Sequence, residues 1–277
     1  ASQTGGNFTG TPTIVGVQAV VPKALTTTAS KVYDGTTVFT SAQVGLNGVL
    51  AGDTVSATGS ADLAAPGAGS GKSYDLTGLG LAGAQAGNYF IDSSASATNG
   101  VVATKALTVT LLSDAKTYDG LAYMGGKGAT FAGFVNGEDA SVLGGSLVFG
   151  GSSQNAVNAG SYAISGSGLT SANYAISYVP STLTVSKAAL TVVAADATRT
   201  YGAANPTFAT TLTGFVNGQT LATSGVTGSG SATSVATLTS DVGSYAIVPS
   251  ASGYASDNYE FTGIANGRLT VAPATLT

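Results

Sequence analysis

Ser161-Tyr162-Ala163-Ile164-Ser165, followed eight positions later by Asn173-Tyr174-Ala175-Ile176-Ser177, decides the fold class. In each run a large apolar side chain alternates with a small one, so Tyr162 and Ile164 share one face and Tyr174 and Ile176 another. A period of two marks a strand with one face buried, whereas a helix would repeat near 3.6. Asn258-Tyr259-Glu260-Phe261-Thr262 and Leu107-Thr108-Val109-Thr110-Leu111 alternate in the same way. Gly, Asn and Ser cluster between such runs, and Asp34-Gly35 and Asp119-Gly120 are turn dipeptides. Only Gly137–Val142 and Gly218–Ala222 have room for a helical turn. The pattern predicts a mainly β chain of half-buried antiparallel strands.

Outward from these runs, five landmarks keep their order in three copies. Ala24-Leu25-Thr26, Ala106-Leu107-Thr108 and Ala189-Leu190-Thr191 open the copies, 82 and 83 residues apart. Tyr33-Asp34-Gly35, Tyr118-Asp119-Gly120 and Tyr201-Gly202 follow. Gly48-Val-Leu-Ala-Gly52 returns as Gly133-Phe-Val-Asn-Gly137 and Gly214-Phe-Val-Asn-Gly218. Ser73-Tyr-Asp-Leu76, Ser161-Tyr-Ala-Ile164 and Ser244-Tyr-Ala-Ile247 come next, then Asn88-Tyr89, Asn173-Tyr174 and Asn258-Tyr259. A period near 83 exceeds the roughly 20–45 residues of a solenoid coil and suits a small domain.

The expected architecture is therefore a tandem array of three small antiparallel β domains, β-grasp-like or Ig-like sandwiches. They cover residues 23–104, 105–187 and 188–273, after a tail or linker over 1–22 and before the start of a further repeat at 274–277. Such flanks read as a piece of a longer chain. Leu183-Thr-Val-Ser-Lys187 runs into Ala188-Ala-Leu-Thr-Val192 with neither Gly nor Pro, which predicts a semi-rigid rod of modules, each with its own core. Tyr162, Tyr174 and Ile176, with Tyr245, Tyr259 and Phe261, are the expected core residues.

Composition narrows the chemistry. Ala, Gly, Thr and Ser fill 155 of 277 positions, and only 8% of residues are charged, against about 25% in an ordinary globular protein. The absence of Cys, His and Trp removes thiol and imidazole catalysis, His/Cys metal sites and disulfides. Nine scattered cations and a net charge of −4 argue against nucleic acid as a partner. No apolar run approaches the ~20 residues of a membrane span, so no insertion is expected. The carboxylates sit at turns, without the clustered loop Ca²⁺ requires; only a weak Ca²⁺ site between modules stays open, and no cofactor is expected. Gly78-Leu-Gly80-Leu-Ala-Gly83 spells a dinucleotide fingerprint and Ser113-Asp-Ala-Lys116 a Ser-x-x-Lys pair, but neither falls in the strand-to-helix setting its chemistry needs.

Two groups of residues remain as candidate surface contacts. Lys31, Lys116 and Arg199 each precede a motif tyrosine by two, which places cation and ring on one strand face. A repeated ligand contact and a guard on the sheet edge are both open readings. Tyr123, Tyr178 and Tyr254 break the recurring strand pattern and are the tyrosines best placed for a sugar-stacking surface, packing being the alternative.

The Tyr-Asp-Gly turn after an Ala-Leu-Thr-Val strand resembles YDG-type repeats. The Tyr201-Gly-Ala-Ala-Asn-Pro206 variant, followed by Gly214-Phe-Val-Asn-Gly218, the Asn-Tyr strand and the closing Leu-Thr-Val strand, resembles MBG repeats of the YGX type. By their turns the first two copies are similar to the YDG type and the third to the YGX type. The resemblance, over about residues 23–273, implies a segment of a large secreted bacterial adhesin of the filamentous-haemagglutinin-like kind. It implies an extracellular, cell-surface location and a non-enzymatic stalk or adhesive role in surface or biofilm attachment. Its partners would be a polysaccharide or a cell surface, and neighbouring repeats of the same chain. The alternative is a carbohydrate-binding module for exopolysaccharide or cell-surface glycan.

Overall fold

The structure, a computed structural model, describes residues 19–275; most of the expected tail over 1–22, and residues 276–277, lie outside them. Strand occupies 53% of the described residues and helix 4%, the latter as three 3₁₀ turns, so the chain is mainly β, built of several small sheets. One turn, Ala140–Val142, falls inside the expected Gly137–Val142, and the Asp139 side chain caps it by accepting from the Ser141 N–H at 2.8 Å. Residues 218–222 form no helix.

The chain divides into two compact units, one of residues 1–105 with Ala172–Tyr174, the other of 106–171 with 175–277. In the first unit the opening strand, Lys23–Val32, is continuous over ten residues. It pairs antiparallel with Val44–Asn47, and parallel with Tyr89–Ile91 at its start and Ser96–Ala103 at its end. Leu25, Thr27, Ala29 and Lys31 point inward at alternate positions. Phe39 and Tyr74 meet edge to face there at 5.5 Å. Buried Thr27 is satisfied by the Tyr74 hydroxyl at 2.9 Å, which itself donates to Asn99. The Gly78–Gly83 fingerprint lies on the strand Leu79–Ala82, paired with Ser56–Leu63, and opens no helix.

In the second unit the opening strand is split. Lys105–Leu111 and Asp114–Thr117 serve the second repeat; Ala188–Ala194 and Ala197–Thr200 serve the third. The first half of each centres a three-stranded sheet, between Ala129–Ala132 and Tyr174–Val179, or between Thr210–Thr213 and Tyr259–Ala265. The second half runs parallel to the closing strand, Ser181–Ser186 or Gly267–Ala272. That closing strand is antiparallel to Gly160–Thr170 or Gly243–Ser250. The sheets are thus mixed rather than wholly antiparallel: alternation reports which face is buried, not the direction of the neighbour.

Leu107, Val109 and Leu111 on one sheet, with Ile164, Leu183 and Val185 on the other, are buried between the layers. The expectation of a separate core in each repeat holds only in part for repeats two and three: the third has a cluster of its own at Ala194, Ala236, Ile247 and Leu269, but a second cluster is shared. One apolar cluster runs from Leu111, Tyr118, Ile164 and Leu183 into Leu190 and Tyr259 of the third repeat. The cause is the linkerless junction, which keeps the last strand of one repeat within packing reach of the first strand of the next.

Candidate functional site

Lys31, Lys116 and Arg199 face inward, not outward. Strand parity puts Lys31 on the face of Leu25 and Ala29, and its side chain is almost wholly covered. Its Nζ lies 2.7 Å from Asp34 Oδ1, 2.7 Å from the Thr36 carbonyl, 2.9 Å from Thr36 Oγ1 and 3.0 Å from the Val38 carbonyl. Asp34 Oδ1 also accepts from the Thr36 N–H and hydroxyl, closing the turn on itself. Lys116 repeats the arrangement with Asp119 at 2.7 Å and the Leu121 carbonyl at 2.8 Å, while Asp119 accepts from the Leu121 N–H. The motif is a clamped loop: strand cation, turn carboxylate, and the backbone beyond. Partial burial raises the Asp34 pKa, but the bonds from Lys31 and Thr36 outweigh it and leave the group below its ordinary value. Asp119 is held low by Lys116 first and the Leu121 N–H second.

The third repeat has no aspartate at this turn, and Arg199 replaces the clamp with its fork. Nε donates to Asn205 Oδ1 at 2.8 Å, Nη1 to the Thr200 carbonyl and Nη2 to the Thr237 carbonyl. Asn205 donates onward to the Ala236 carbonyl at 2.7 Å. The Ala-Ala-Asn-Pro stretch therefore supplies, through Asn205, the oxygen that the aspartate supplies in the other copies.

Tyr123, Tyr178 and Tyr254 are half-buried against the core of the second unit. Tyr123 donates to Asp114 at 2.8 Å, and burial together with that carboxylate pushes its pKa up to about 12. Asp114 is held low by Lys127, 2.8 Å away. The Tyr178 hydroxyl accepts from the Leu169 N–H at 2.9 Å. The Tyr254 ring stacks on Phe261 at 5.4 Å and its hydroxyl shares a 3.3 Å hydrogen bond with Thr210. Tyr254 also walls an open groove of about 350 Å³, with Phe215, Leu212, Gln219 and Leu221. Among the described residues no three acidic side chains gather where they could hold a metal ion.

Sequence reasoning placed the Asn-Tyr pairs in strand cores and missed their second role. In the second unit Tyr259 belongs to the third repeat, and its ring meets Tyr118 of the second repeat edge to face at 5.3 Å. Gln219 bridges the two hydroxyls, donating to Tyr118 at 2.8 Å and accepting from Tyr259 at 2.6 Å. The Asn258 side chain accepts from the Ala159 N–H at 2.8 Å and donates to Asn158 at 3.0 Å; its carbonyl accepts from the Ala188 N–H at 3.0 Å. In the first unit Asn173 accepts from the Ala68 N–H at 3.0 Å and, through its carbonyl, from the Lys105 N–H at 2.9 Å. Tyr174 there meets Tyr33 edge to face at 5.5 Å. Two landmarks, 55 residues apart in the first two copies and 57 in the third, thus form one joint, the Tyr of one repeat against the Asn-Tyr of the next. The signal available in the sequence was the recurrence of Asn, a poor strand former, immediately before a core tyrosine.

Comparison with known families agrees with this repeat structure. The model of the MBG domain (YGX type) matches residues 107–184 and 190–270, more than half of the chain. The chain belongs to the MBG-domain family. A YDG domain, matching residues 18–98, precedes the two MBG domains. The second repeat, expected from its Tyr118-Asp119-Gly120 turn to be of the YDG type, matches the YGX type. Domains of both kinds are found in surface adhesin-like proteins and suggest an extracellular or surface setting. No curated protein matches the chain. No helix among the described residues is long and apolar enough to cross a membrane.

Proposed function

We propose that this run of one YDG and two MBG domains is a non-enzymatic, structural and adhesive segment of a large secreted bacterial surface protein. Its repeats act as stalk modules in attachment to cells or to a polysaccharide matrix. The observation that carries the reading is where the recurring residues go. The cations and acids of the repeat close loops, and its Tyr and Asn-Tyr landmarks join one repeat to the next. What recurs is mechanical, and the remaining surface is rich in Gly, Ser, Thr and Ala. Such a surface offers weak contacts, which repetition along a chain or crowding on a cell raises in avidity by about 10²–10⁴.

The test is attachment as a function of valency. The chain is immobilised on beads at rising density, and binding to cells and polysaccharide is compared with that of the free chain, beside hydrolysis assays on glycan, peptide and ester substrates. Binding that rises steeply with density, with no turnover, supports the stalk reading. Tight saturable glycan binding by the free chain, lost in Tyr254→Ala, would instead favour a carbohydrate-binding module built on the Tyr254 and Phe215 groove. Turnover abolished by a point mutation would overturn the non-enzymatic assignment.

A further inference from the structure

The third repeat carries the first half of a joint, and its tyrosine is exposed. Tyr201 stands where Tyr33 and Tyr118 stand: each donates its backbone N–H at 2.8 Å to the end of its closing strand, at Ala272, Ala103 and Ser186 respectively. Yet Tyr33 and Tyr118 are each 4% exposed and Tyr201 is 44% exposed. The following glycine shows the same contrast. Gly120 and Gly202 share a left-handed φ of +73° and +81°, but a Cβ added at Gly120 would meet Asn217 of the next repeat at 3.0 Å, while at Gly202 it would meet nothing.

The polar half of the joint is present as well. Gly160 and Gly243 pair with the same position of their closing strands, Val185 and Val271, so Val242 is the counterpart of Ala159 and Asp241 that of Asn158. Tyr162 and Tyr245 confirm the register, donating to the carbonyls of Asn158 and Asp241 at 2.9 Å each. Val242, the counterpart of the residue whose N–H serves Asn258, is 53% exposed. Asp241 offers a carboxylate where Asn158 offers an amide oxygen to the Asn258 side chain, and a charged acceptor makes a stronger bond to an amide donor. Counting from the closing strand, Ala274 takes the place of Lys105 and Ala188, whose N–H groups bind the Asn carbonyl.

We infer that the Tyr201, Asp241 and Val242 end of the third repeat is a docking face for one further β repeat of the same kind. That repeat continues the strand path from Ala274 and presents an Asn-Tyr pair. The tyrosine of the pair would cap Tyr201 edge to face. The asparagine would accept from the Val242 and Ala274 N–H groups and donate to Asp241. The inference rests on the geometry of the joint and holds whether or not the chain is adhesive.

The experiment compares the chain with a version extended after Pro273 by a second copy of residues 188–275. Nitration of Tyr201 by tetranitromethane is followed peptide by peptide, with Tyr118 as the covered reference. Docking should slow Tyr201 nitration in the extended chain by about tenfold, the ratio of the exposures of Tyr201 and Tyr118. Changing the asparagine of the appended Asn-Tyr pair to Ala should restore much of the rate. A companion Asp241→Ala variant, which leaves every ring in place, should also raise it in the extended chain alone. Equal nitration of Tyr201 in both chains, with the appended repeat folded by circular dichroism, would overturn the inference. So would concentration-dependent self-association of the unextended chain that protects Tyr201, since that would assign the face to a second copy.

Discussion

Replacing Tyr118 by Ala, beside the same change at Tyr201, isolates what the joint contributes. The two tyrosines share a motif, a backbone bond and a turn glycine, and differ in cover: 4% exposed against 44%. A tyrosine buries about 150–250 Å² when fully covered, so the difference in cover is roughly 60–100 Å². At about 25 cal/mol per Å² that is about 1.5–2.5 kcal/mol. The edge-to-face pair with Tyr259 adds about 0.5–1.5 kcal/mol. The bond from Gln219 adds about as much again. Tyr118→Ala should therefore cost about 4 kcal/mol more than Tyr201→Ala. In a unit of this size that lowers the melting transition by roughly 8–16 °C more, at about 2–4 °C per kcal/mol. Thermal unfolding of the full chain by calorimetry reads the shift, and Tyr118→Phe, which keeps the ring, should recover most of it. A double-mutant cycle between Tyr118 and Tyr259 should show a coupling of about 0.5–1.5 kcal/mol beyond additivity. Equal losses at Tyr118 and Tyr201, or additive effects at Tyr118 and Tyr259, would refute the shared joint.

Three further outcomes are expected. Lys31→Met leaves Asp34, Thr36 and the Val38 carbonyl without their common donor; it should lower the urea midpoint of the first unit by the equivalent of about 1–3 kcal/mol, and Lys116→Met, at a more exposed clamp, should cost the second unit less. Asn258→Ala removes the acceptor of the Ala159 N–H and should cost about 1 kcal/mol, whereas Asn258→Asp keeps that acceptor but faces the Asn158 oxygen without a donor and should recover only part of the loss. Because the Asp34 and Asp119 carboxyls titrate below their unfolded value of 3.8, the stability they lend is full above that value and is lost as pH falls through the lower folded value. Urea midpoints should fall as the pH drops below about 4, and Asp119→Asn should flatten that fall for the second unit.

Alternation and recurrence made the mainly β, tandem character legible before any coordinates. Burial at every second position of Lys105–Leu111 and Ala188–Ala194 follows the pattern directly. Strand direction was not legible, since parallel and antiparallel neighbours impose the same period of two. Nor was the inward turn of Lys31 and Arg199, because composition rules place cations at the surface and only local oxygen density overrides them. The joint stayed hidden for a different reason. Tyr259 is buried, as the strand reading requires, but part of its cover comes from the preceding repeat, and a one-dimensional pattern does not say which element supplies the cover.

That last point bears on how such an array holds together. A repeat of about 83 residues has the size of an independent domain, yet repeats two and three share one apolar cluster and a polar bridge through Gln219. Stability then divides as in a solenoid, into a term for each repeat and a term for each interface. The interface term comes from residues that every copy carries, Tyr near its start and Asn-Tyr near its end. The same two landmarks serve any pair of neighbours, so copies can be added or lost without redesigning the joint, provided each supplies both halves. A charge-poor sequence is suited to this. Aromatic edges and amide bonds lose little to salt, whereas joints made of exposed ion pairs would weaken as ionic strength rose. What the third repeat retains beside Arg199 follows from the same logic. Its turn has no aspartate and a different clamp, yet Tyr201, which has no part in the clamp, is present there as in the other copies.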